Sequence, residues 1–413
     1  MNLKVFTAFS GYDSQCMALD RLHRHNPDFN YELVGWAEID KYAIAAHNAV
    51  YPQWAERNYG DIAKIDWQQV PDFNLFTYSS PCQDFSQAGK QAGGTEGSGT
   101  RSSLLWECRR AILAKKPKYL LMENVAALVS QKFIRLFNAW QLELESYGYR
   151  NFAKVLNAKD YGVPQNRERI FMVSVLDEQA RYEFPDPMPL PLRLKDVLEP
   201  KVDERYYLSQ DLVNYVFSNG GKDGNIKGAT GVQDGDKPAF AVTANYYKTP
   251  RQGNYLQEPI VLGWVRDEKG NVVKRPPVEV ANTVTSGKRD NTQNYVVEPT
   301  VIELPIDKKH QQDAVQHEEG ISRCLVVGCH GNSDNFTRTA VSTEQGYRIR
   351  KLTERECFRL MDVPEEYIDR IQAAGISRSQ QYKMAGNSIV VSCMYHIWRK
   401  LWIDTEIKTL TLF

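Results

Sequence analysis

From its first residue to about residue 176 the chain alternates short apolar runs with amphipathic stretches, and no other property of the sequence narrows its fold as much. The apolar runs at about 3–9, 32–38, 73–79, 118–123, 151–157 and 169–175 read as strands. The amphipathic stretches at about 13–25, 40–50, 101–115 and 132–147 read as helices between them, the third closing on Lys115-Lys116-Pro117, a cationic, proline-stopped end. Continuous apolar strands separated by helices belong to a sheet buried on both faces, so the expected fold is α/β, a doubly wound, mostly parallel sheet.

From about 186 the texture changes. Pro185, Pro187, Pro189, Pro191 and Pro200 mark a boundary, and glycine-rich turns with short β-like runs follow. Within this part Ala241-Val242-Thr243-Ala244-Asn245-Tyr246 resembles Ala281-Asn282-Thr283-Val284-Thr285-Ser286, which suggests paired hairpins. From about 347 helical periodicity returns, with Thr353-Glu354-Arg355-Glu356 as a capping box and a long helical region over 377–402. The expected organisation is a first domain over 1–186, a smaller turn-rich, β-containing domain over 187–346, and a helical region over 347–413 that returns to the first. A length of 413 residues is too great for one ordinary core.

With 42% hydrophobic and 25% charged residues the chain is neither disordered nor fibrous, and no run of about 18 apolar residues offers a membrane span. Met1-Asn2-Leu3-Lys4-Val5-Phe6 enters a strand directly without the features of a signal peptide, so a cytoplasmic location is expected. Seven cysteines without a CxxC pair fit a reducing compartment and suggest neither a disulfide framework nor a metal site. The net charge of +0 does not by itself suggest a nucleic-acid partner. Lys248-Thr249-Pro250-Arg251 and Lys288-Arg289 are local basic candidates, or else solvated loops.

Several short segments carry chemistry. Cys82, in Ser79-Ser80-Pro81-Cys82-Gln83-Asp84-Phe85-Ser86, lies just beyond an apolar strand, where open α/β sheets place their sites; alone it is either a nucleophile or a buried structural thiol. The polar, glycine-rich stretch 87–103 after it reads as a lid or a linker. Glu123 ends another apolar strand, where partial burial would raise its pKa and suit it to proton transfer, although a helix N-cap is an equal reading. Gln165-Asn166-Arg167-Glu168-Arg169 puts two arginines at a strand start, for surface pairing or for binding. Phe9-Ser10-Gly11-Tyr12-Asp13-Ser14 forms a tight first turn, and Glu38 and Asp40 close the second strand, an arrangement suited to an adenosine-containing cofactor. Gly60-Asp61-Ile62 adds a third acidic turn.

Taken in order, five blocks resemble the cytosine-C5 DNA methyltransferases: Pro81-Cys82-Gln83, Glu123-Asn124-Val125, the 165–169 block, the stretch from Arg350 through Thr353 to Glu356, and Gly386-Asn387-Ser388. The resemblance implies a methyltransferase fold that binds S-adenosylmethionine and releases S-adenosylhomocysteine, with duplex DNA as partner and no metal. It implies Cys82 as covalent nucleophile at cytosine C6, Glu123 against the ring nitrogen and exocyclic amine, and Arg169, assisted by Arg167, at the ring carbonyl. Phe9, Ser10, Gly11, Tyr12, Glu38, Ile39, Asp61, Ile62, Pro81, Asn387 and Ser388 would form the cofactor pocket. Gln83, Ser86 and Arg101 would close over a base rotated out of the duplex. The 187–346 domain would recognise the target sequence. One departure stands out: Asp13 occupies a place where the family often has a second glycine.

RNA methylation by the same blocks is the alternative enzyme reading, and the substantial second domain argues against it. A binding protein with a degenerate methyltransferase fold is the non-enzymatic alternative, and the full set of reactive residues argues against that. The resemblance also fits a monomer serving beside a restriction endonuclease.

Overall fold

The computed structural model describes residues 1–81, 104–207, 232–233, 238–242, 255–259, 261–262, 264–266, 272–274, 295–296 and 347–404. The chain forms two compact units: Met1–Glu199 with Gly235–Thr249 and Thr353–Phe413, and Pro200–Asp234 with Pro250–Leu352.

The first unit is built on six strands: β1 (Asn2–Ala8), β2 (Asn30–Ala37), β3 (Leu75–Tyr78), β4 (Tyr119–Val125), β5 (Tyr149–Asn157) and, after the two-residue β6 (Gln165–Asn166), β7 (Glu168–Leu176). Their order is β2-β1-β3-β4-β7-β5. β1 pairs in parallel with β2 and β3, and β3 with β4, whereas β7 is antiparallel to both β4 and β5. β7 is thus the reversed member of a mostly parallel sheet, as expected where a short connection rather than a crossover helix joins it to β5. The chain steps outward from β1 to β2 and returns to β3 on the other side of β1, which creates a topological switch point there.

Four helices follow the sequence rhythm: α1 (Ser14–His25), α2 (Lys41–Val50), α3 (Cys108–Lys115) and α4 (Ile134–Ser146). α3 is shorter than the expected 101–115: before it Leu104 and Leu105 are 3-10 helical and Trp106 and Glu107 form a turn. Along β1 alternate side chains face opposite ways. Phe6 and Ala8 join a core with Phe76, Tyr78, Met122, Ile112, Phe137 and Trp140, to which α3 and α4 contribute. A bulge between Val5 and Phe6 places Phe6 opposite Gly35, where a Cβ would lie 2.6 Å from the Phe6 ring. Only glycine leaves room for that ring, and the bulge sets Ala37 level with Ala8.

The last helices, α5 (Glu354–Arg359), α6 (Glu365–Ala373), α7 (Arg378–Asn387) and α8 (Val391–Trp398), belong to the first unit. α8 packs on α1, and Arg21 pairs with Asp362 at 2.6 Å. Tyr31, Tyr51 and Tyr367 all donate their hydroxyls to the Asp20 carboxylate, at 2.6, 2.6 and 2.8 Å. The capping box read from the sequence is present: the Glu356 amide donates to Thr353 Oγ1 and the Thr353 amide to Glu356 Oε2.

The boundaries differ from the sequence reading. Residues 187–199 pack with the first unit, where the Met188 amide donates to the Asp160 carbonyl and the Glu199 amide to Glu356. The proline run marks an extended strip bound to the sheet domain, because proline ends regular structure without ending packing. Residues 239–240 form β8, paired with β6 in the first unit. The helical return begins at Thr353 rather than 347, since Tyr347–Lys351 is a strand antiparallel to Tyr255–Pro259 in the second unit. Short strands at Val261–Leu262 with Tyr295–Val296, and Trp264–Arg266 with Val272–Lys274, bear out the β-containing expectation there. The two similar segments lie outside the described residues, apart from Ala241 and Val242.

Candidate active site

Ala8 and Ala37 are register partners, as are Ala8 and Tyr78, and Tyr78 and Met122. The next residues, Phe9, Glu38, Ser79 and Glu123, are therefore level on four adjacent strands, the first three just past their strand ends and Glu123 two residues before the end of β4. Because β7 runs the other way, its start reaches the same edge, with Arg169 opposite Val125.

At the β1 end the chain turns sharply. Phe9, Gly11 and Asp13 all have positive φ, at 56°, 60° and 65°. A bulky residue such as Phe9 in this region costs about 1–3 kcal/mol and persists only where the surroundings enforce it. Here the Phe9 and Ser10 amides both donate to the Ala37 carbonyl, at 2.9 and 3.3 Å, which ties the turn to the end of β2. Asp13 explains its own departure from the family pattern. The position is left-handed, which glycine adopts freely and aspartate tolerates by local hydrogen bonding. Its carboxylate caps α1 by accepting from the Cys16 amide at 3.2 Å and from Thr7 Oγ1 at 3.0 Å, and lies 3.4 Å from His47 Nε2. Asp13, Thr7 and His47 are fully buried, and the His47 ring stacks on Trp36 at 3.7 Å.

Glu38 is held by backbone amides. Gly11 donates to Oε2 at 3.0 Å, and Ile39 and Asp40 both donate to Oε1 at 2.8 Å. Beside it the Ile39 side chain is 71% exposed, an apolar surface with room for a flat ring. Asn58, which sequence reasoning missed, accepts from the Glu38 and Gly60 amides at 3.2 and 2.9 Å and so joins the second turn to the third. Asp61 caps the short 3-10 turn Ile62–Lys64 through the Ala63 amide at 3.1 Å. Asn387 ends α7 exposed, and Ser388 Oγ meets Ser14 Oγ at 3.1 Å, so the C-terminal segment borders the first turn. Burial narrows what three expected contacts offer. Tyr12 packs edge-on against Phe358, Ser10 turns its hydroxyl to the Thr7 carbonyl, and Ile62 is a core residue. All three side chains are turned into the interior.

On the other side of the switch point, Asn124 Nδ2 donates to the Ser80 carbonyl at 3.1 Å and fixes the chain just before Pro81. Cys82, Gln83, Ser86 and Arg101 lie outside the described residues. Glu123 is 7% exposed, and Arg169 Nε lies 3.2 Å from its Oε1. Burial pushes the Glu123 carboxyl above the usual range, and the Arg169 and Arg167 guanidinium groups oppose that rise.

Arg167 does not share the position of Arg169. It is buried and donates to the carbonyls of Val242, Gly386 and Ser388, at 2.9, 2.9 and 2.8 Å. Gln165 works beside it, donating to the Leu360 carbonyl and accepting from the Val242 amide at 3.0 Å. These two residues clamp the 239–242 and C-terminal segments to the start of β7. The sequence reading, which placed Arg167 beside Arg169 at the reacting ring, is corrected on this point: the guanidinium is committed to main-chain carbonyls.

Cys16, Cys108, Cys357 and Cys393 are buried, with thiols that burial pushes up, so none of these four is suited to nucleophilic attack. Among the described residues no group of three or more His, Cys, Asp or Glu side chains is placed to hold a metal ion. No described helix is long and apolar enough to cross a membrane.

Residues 3–402 match the C-5 cytosine-specific DNA methylase family. The chain belongs to that family. As a DNA cytosine-C5 methyltransferase it is similar along its length to characterised relatives. The type II methyltransferase M2.ScrFI of Lactococcus lactis subsp. cremoris is 30% identical, over 97% of this chain and 99% of the relative. The orphan methyltransferase M.SPRI of Bacillus phage SPR is 29% identical, over 97% of each. Among solved structures, the S. pombe Dnmt2 methyltransferase superposes with a TM-score of 0.60 at 16% identity, covering 98% of this chain and 99% of that one, and so has the same fold. Cytosine-C5 methyltransferases take their methyl group from S-adenosylmethionine. The turn-bound Glu38 carboxylate, the bare Ile39 surface and the adjacent Asp61 turn suit the ribose, adenine and exocyclic amine of such a donor.

Proposed function

We propose that the protein methylates C5 of a cytosine rotated out of duplex DNA, with Cys82 as nucleophile and Glu123 and Arg169 as the pair that handles the ring. The observation that carries this reading is the buried Glu123–Arg169 pair at the sheet edge where Asn124 secures the chain leading to Cys82. Extruding the base costs roughly a few kcal/mol, which contacts from Gln83, Ser86, Arg101 and the 87–103 lid offset.

Cytosine C5 is a poor nucleophile. Addition of the Cys82 thiolate to C6 moves the ring electrons toward C5 and N3. Glu123, in its proton-bearing form, hydrogen-bonds N3 and supplies the proton as charge develops there, while Arg169 holds the ring carbonyl. Bound S-adenosylmethionine supplies an electrophilic methyl group and leaves as S-adenosylhomocysteine. A base then removes the C5 proton, the C6–S bond breaks with its electron pair returning to Cys82, and N3 gives its proton back to Glu123, which restores the neutral ring. Phe9, Gly11, Glu38, Ile39, Asp61, Pro81, Asn387 and Ser388 would hold the donor, with Ser10, Tyr12 and Ile62 contributing main chain. Arg167 is a positioning residue that brings 386–388 to the pocket.

The second domain, 187–346 in the sequence reading and 200–234 with 250–352 by compactness, is the proposed target-recognition element. The proposed setting is a cytoplasmic monomer protecting DNA against a restriction endonuclease of matching specificity, by analogy with the type II relative.

Incubation with methyl-labelled donor and either duplex DNA or RNA tests the substrate: label is expected in DNA, and label in RNA alone overturns the reading. Cys82→Ser is expected to abolish both turnover and the trapped adduct on 5-fluorocytosine DNA. Gel filtration and endonuclease challenge of methylated DNA test the setting.

A further inference from the structure

Outside the residues assigned to the donor, one ion pair bears on the turn that holds Glu38. Lys383 Nζ lies 2.7 Å from Asp40 Oδ2, while Asp40 Oδ1 caps α2 by accepting from the Tyr42 amide at 2.9 Å. The same Asp40 supplies one of the amides on Glu38 Oε1. Lys383 sits one helical turn before Asn387 on α7, so both lie on one face of that helix. The far end of α2 is secured by the same C-terminal region, where Arg370 donates to the Val50 carbonyl at 3.0 Å and Tyr367 shares Asp20 with Tyr51. At the near end, Lys383 on Asp40 is the ion pair that ties the 38–40 turn to the C-terminal helices.

We infer that Lys383 is a positioning residue for the methyl donor: through Asp40 it locks the 38–40 turn, so that the Glu38 carboxylate and the Ile39 surface are set before the donor arrives. This rests on the assignment of that turn to the donor. Lys383 holds a turn in place and touches no reacting atom, so it acts on affinity and leaves the chemical step alone. The Asp40 carboxyl, which burial alone would raise, lies below the usual range because of Lys383 and the Tyr42 amide. Both side chains are about one-third exposed, 38% and 32%, so the pair is screened by salt and its effect is modest.

The test is calorimetric binding of S-adenosylhomocysteine to the full-length protein, with steady-state kinetics alongside. Lys383→Met is expected to weaken binding two- to five-fold, equal to about 0.4–1 kcal/mol, and to raise KM for the donor equally while kcat stays unchanged. Asp40→Asn, which keeps a capping oxygen but loses the charge, is expected to do the same, and the double variant to be no weaker than either single one. Lys383→Arg is expected to restore at least half of the loss, and added salt to bring wild type toward Lys383→Met. Unchanged affinity in Lys383→Met, additive losses in the double variant, or a fall in kcat at unchanged affinity would each overturn the proposal. Glu38→Gln separates the two levels: if it weakens binding and Lys383→Met does not, only the latch fails, and if neither does, the donor assignment fails.

Discussion

Two carboxylates, Glu38 and Glu123, leave neighbouring parts of one sheet edge and are held in opposite ways. Glu38 accepts three backbone amides, donors that are part of the fold itself. Glu123 is buried against the guanidinium of a side chain, with burial raising its proton affinity. The first arrangement suits recognition of a ligand that must be placed the same way each time. The second suits a group that must exchange a proton and a partner during a reaction.

That contrast is most directly broken by Glu123→Gln. The expected result is a loss of about 10²–10⁴-fold in single-turnover methyl transfer, with S-adenosylhomocysteine affinity unchanged; a parallel loss of affinity would erase the distinction between the two sides. Arg167→Ala comes next, because its guanidinium serves both. Three carbonyls, two of them buried, lose their donor, so a stability loss of about 3 kcal/mol is expected from the denaturation midpoint, together with weaker donor binding as 386–388 is released. Glu38→Gln should weaken donor binding by about tenfold, the effect of removing charge from hydrogen bonds worth ~1.5–3 kcal/mol, and leave kcat at saturation intact. Asp13→Gly, a change to the usual family residue, keeps the left-handed backbone but loses a cap and a buried hydroxyl partner; a loss of about 1 kcal/mol is expected in a thermal melt.

The smallest effect sharpens the comparison by its sign. Because the folded-state proton affinity of Glu123 is raised, the folded protein keeps a proton that the unfolded chain has released. The associated stability is full below the ordinary value of 4.5 and is lost as pH rises through the raised one. Melts across that range should show wild type losing stability relative to Glu123→Gln as pH increases.

Much of this edge was legible from sequence because it lies where apolar runs stop: Phe9, Glu38 and Glu123 are each the first or last residue of a strand-like run. The capping box at Thr353 was legible for the same reason, being a local pattern. What escaped was set by contacts distant in the chain. Nothing near Asn58, Asn124 or Lys383 announces that they hold Glu38, Ser80 and Asp40. Arg167 and Arg169 look equivalent in sequence, yet the reversal of β7 and the docking of 386–388 send them to different partners. The prolines from 185 to 191 suggested a domain boundary, but Tyr161 donates to the Pro185 carbonyl at 2.9 Å and holds the strip on the sheet domain.

The return of the C-terminal helices also has a consequence in time. The sheet edge, its first turn and Glu38 are all synthesised before residue 200, yet Lys383, Asn387 and Ser388 leave the ribosome only after the entire second unit has been made. At ~5–20 residues per second that interval is roughly ten to forty seconds. During it the nascent chain carries the strands without residues 386–388, so on the donor assignment proposed above donor binding is expected to begin only once the second unit, the proposed target-recognition element, has been made. Ribosome-stalled chains in which residue 352 or residue 404 is followed by a flexible linker long enough to fill the exit tunnel should differ accordingly, with only the longer one retaining labelled S-adenosylhomocysteine.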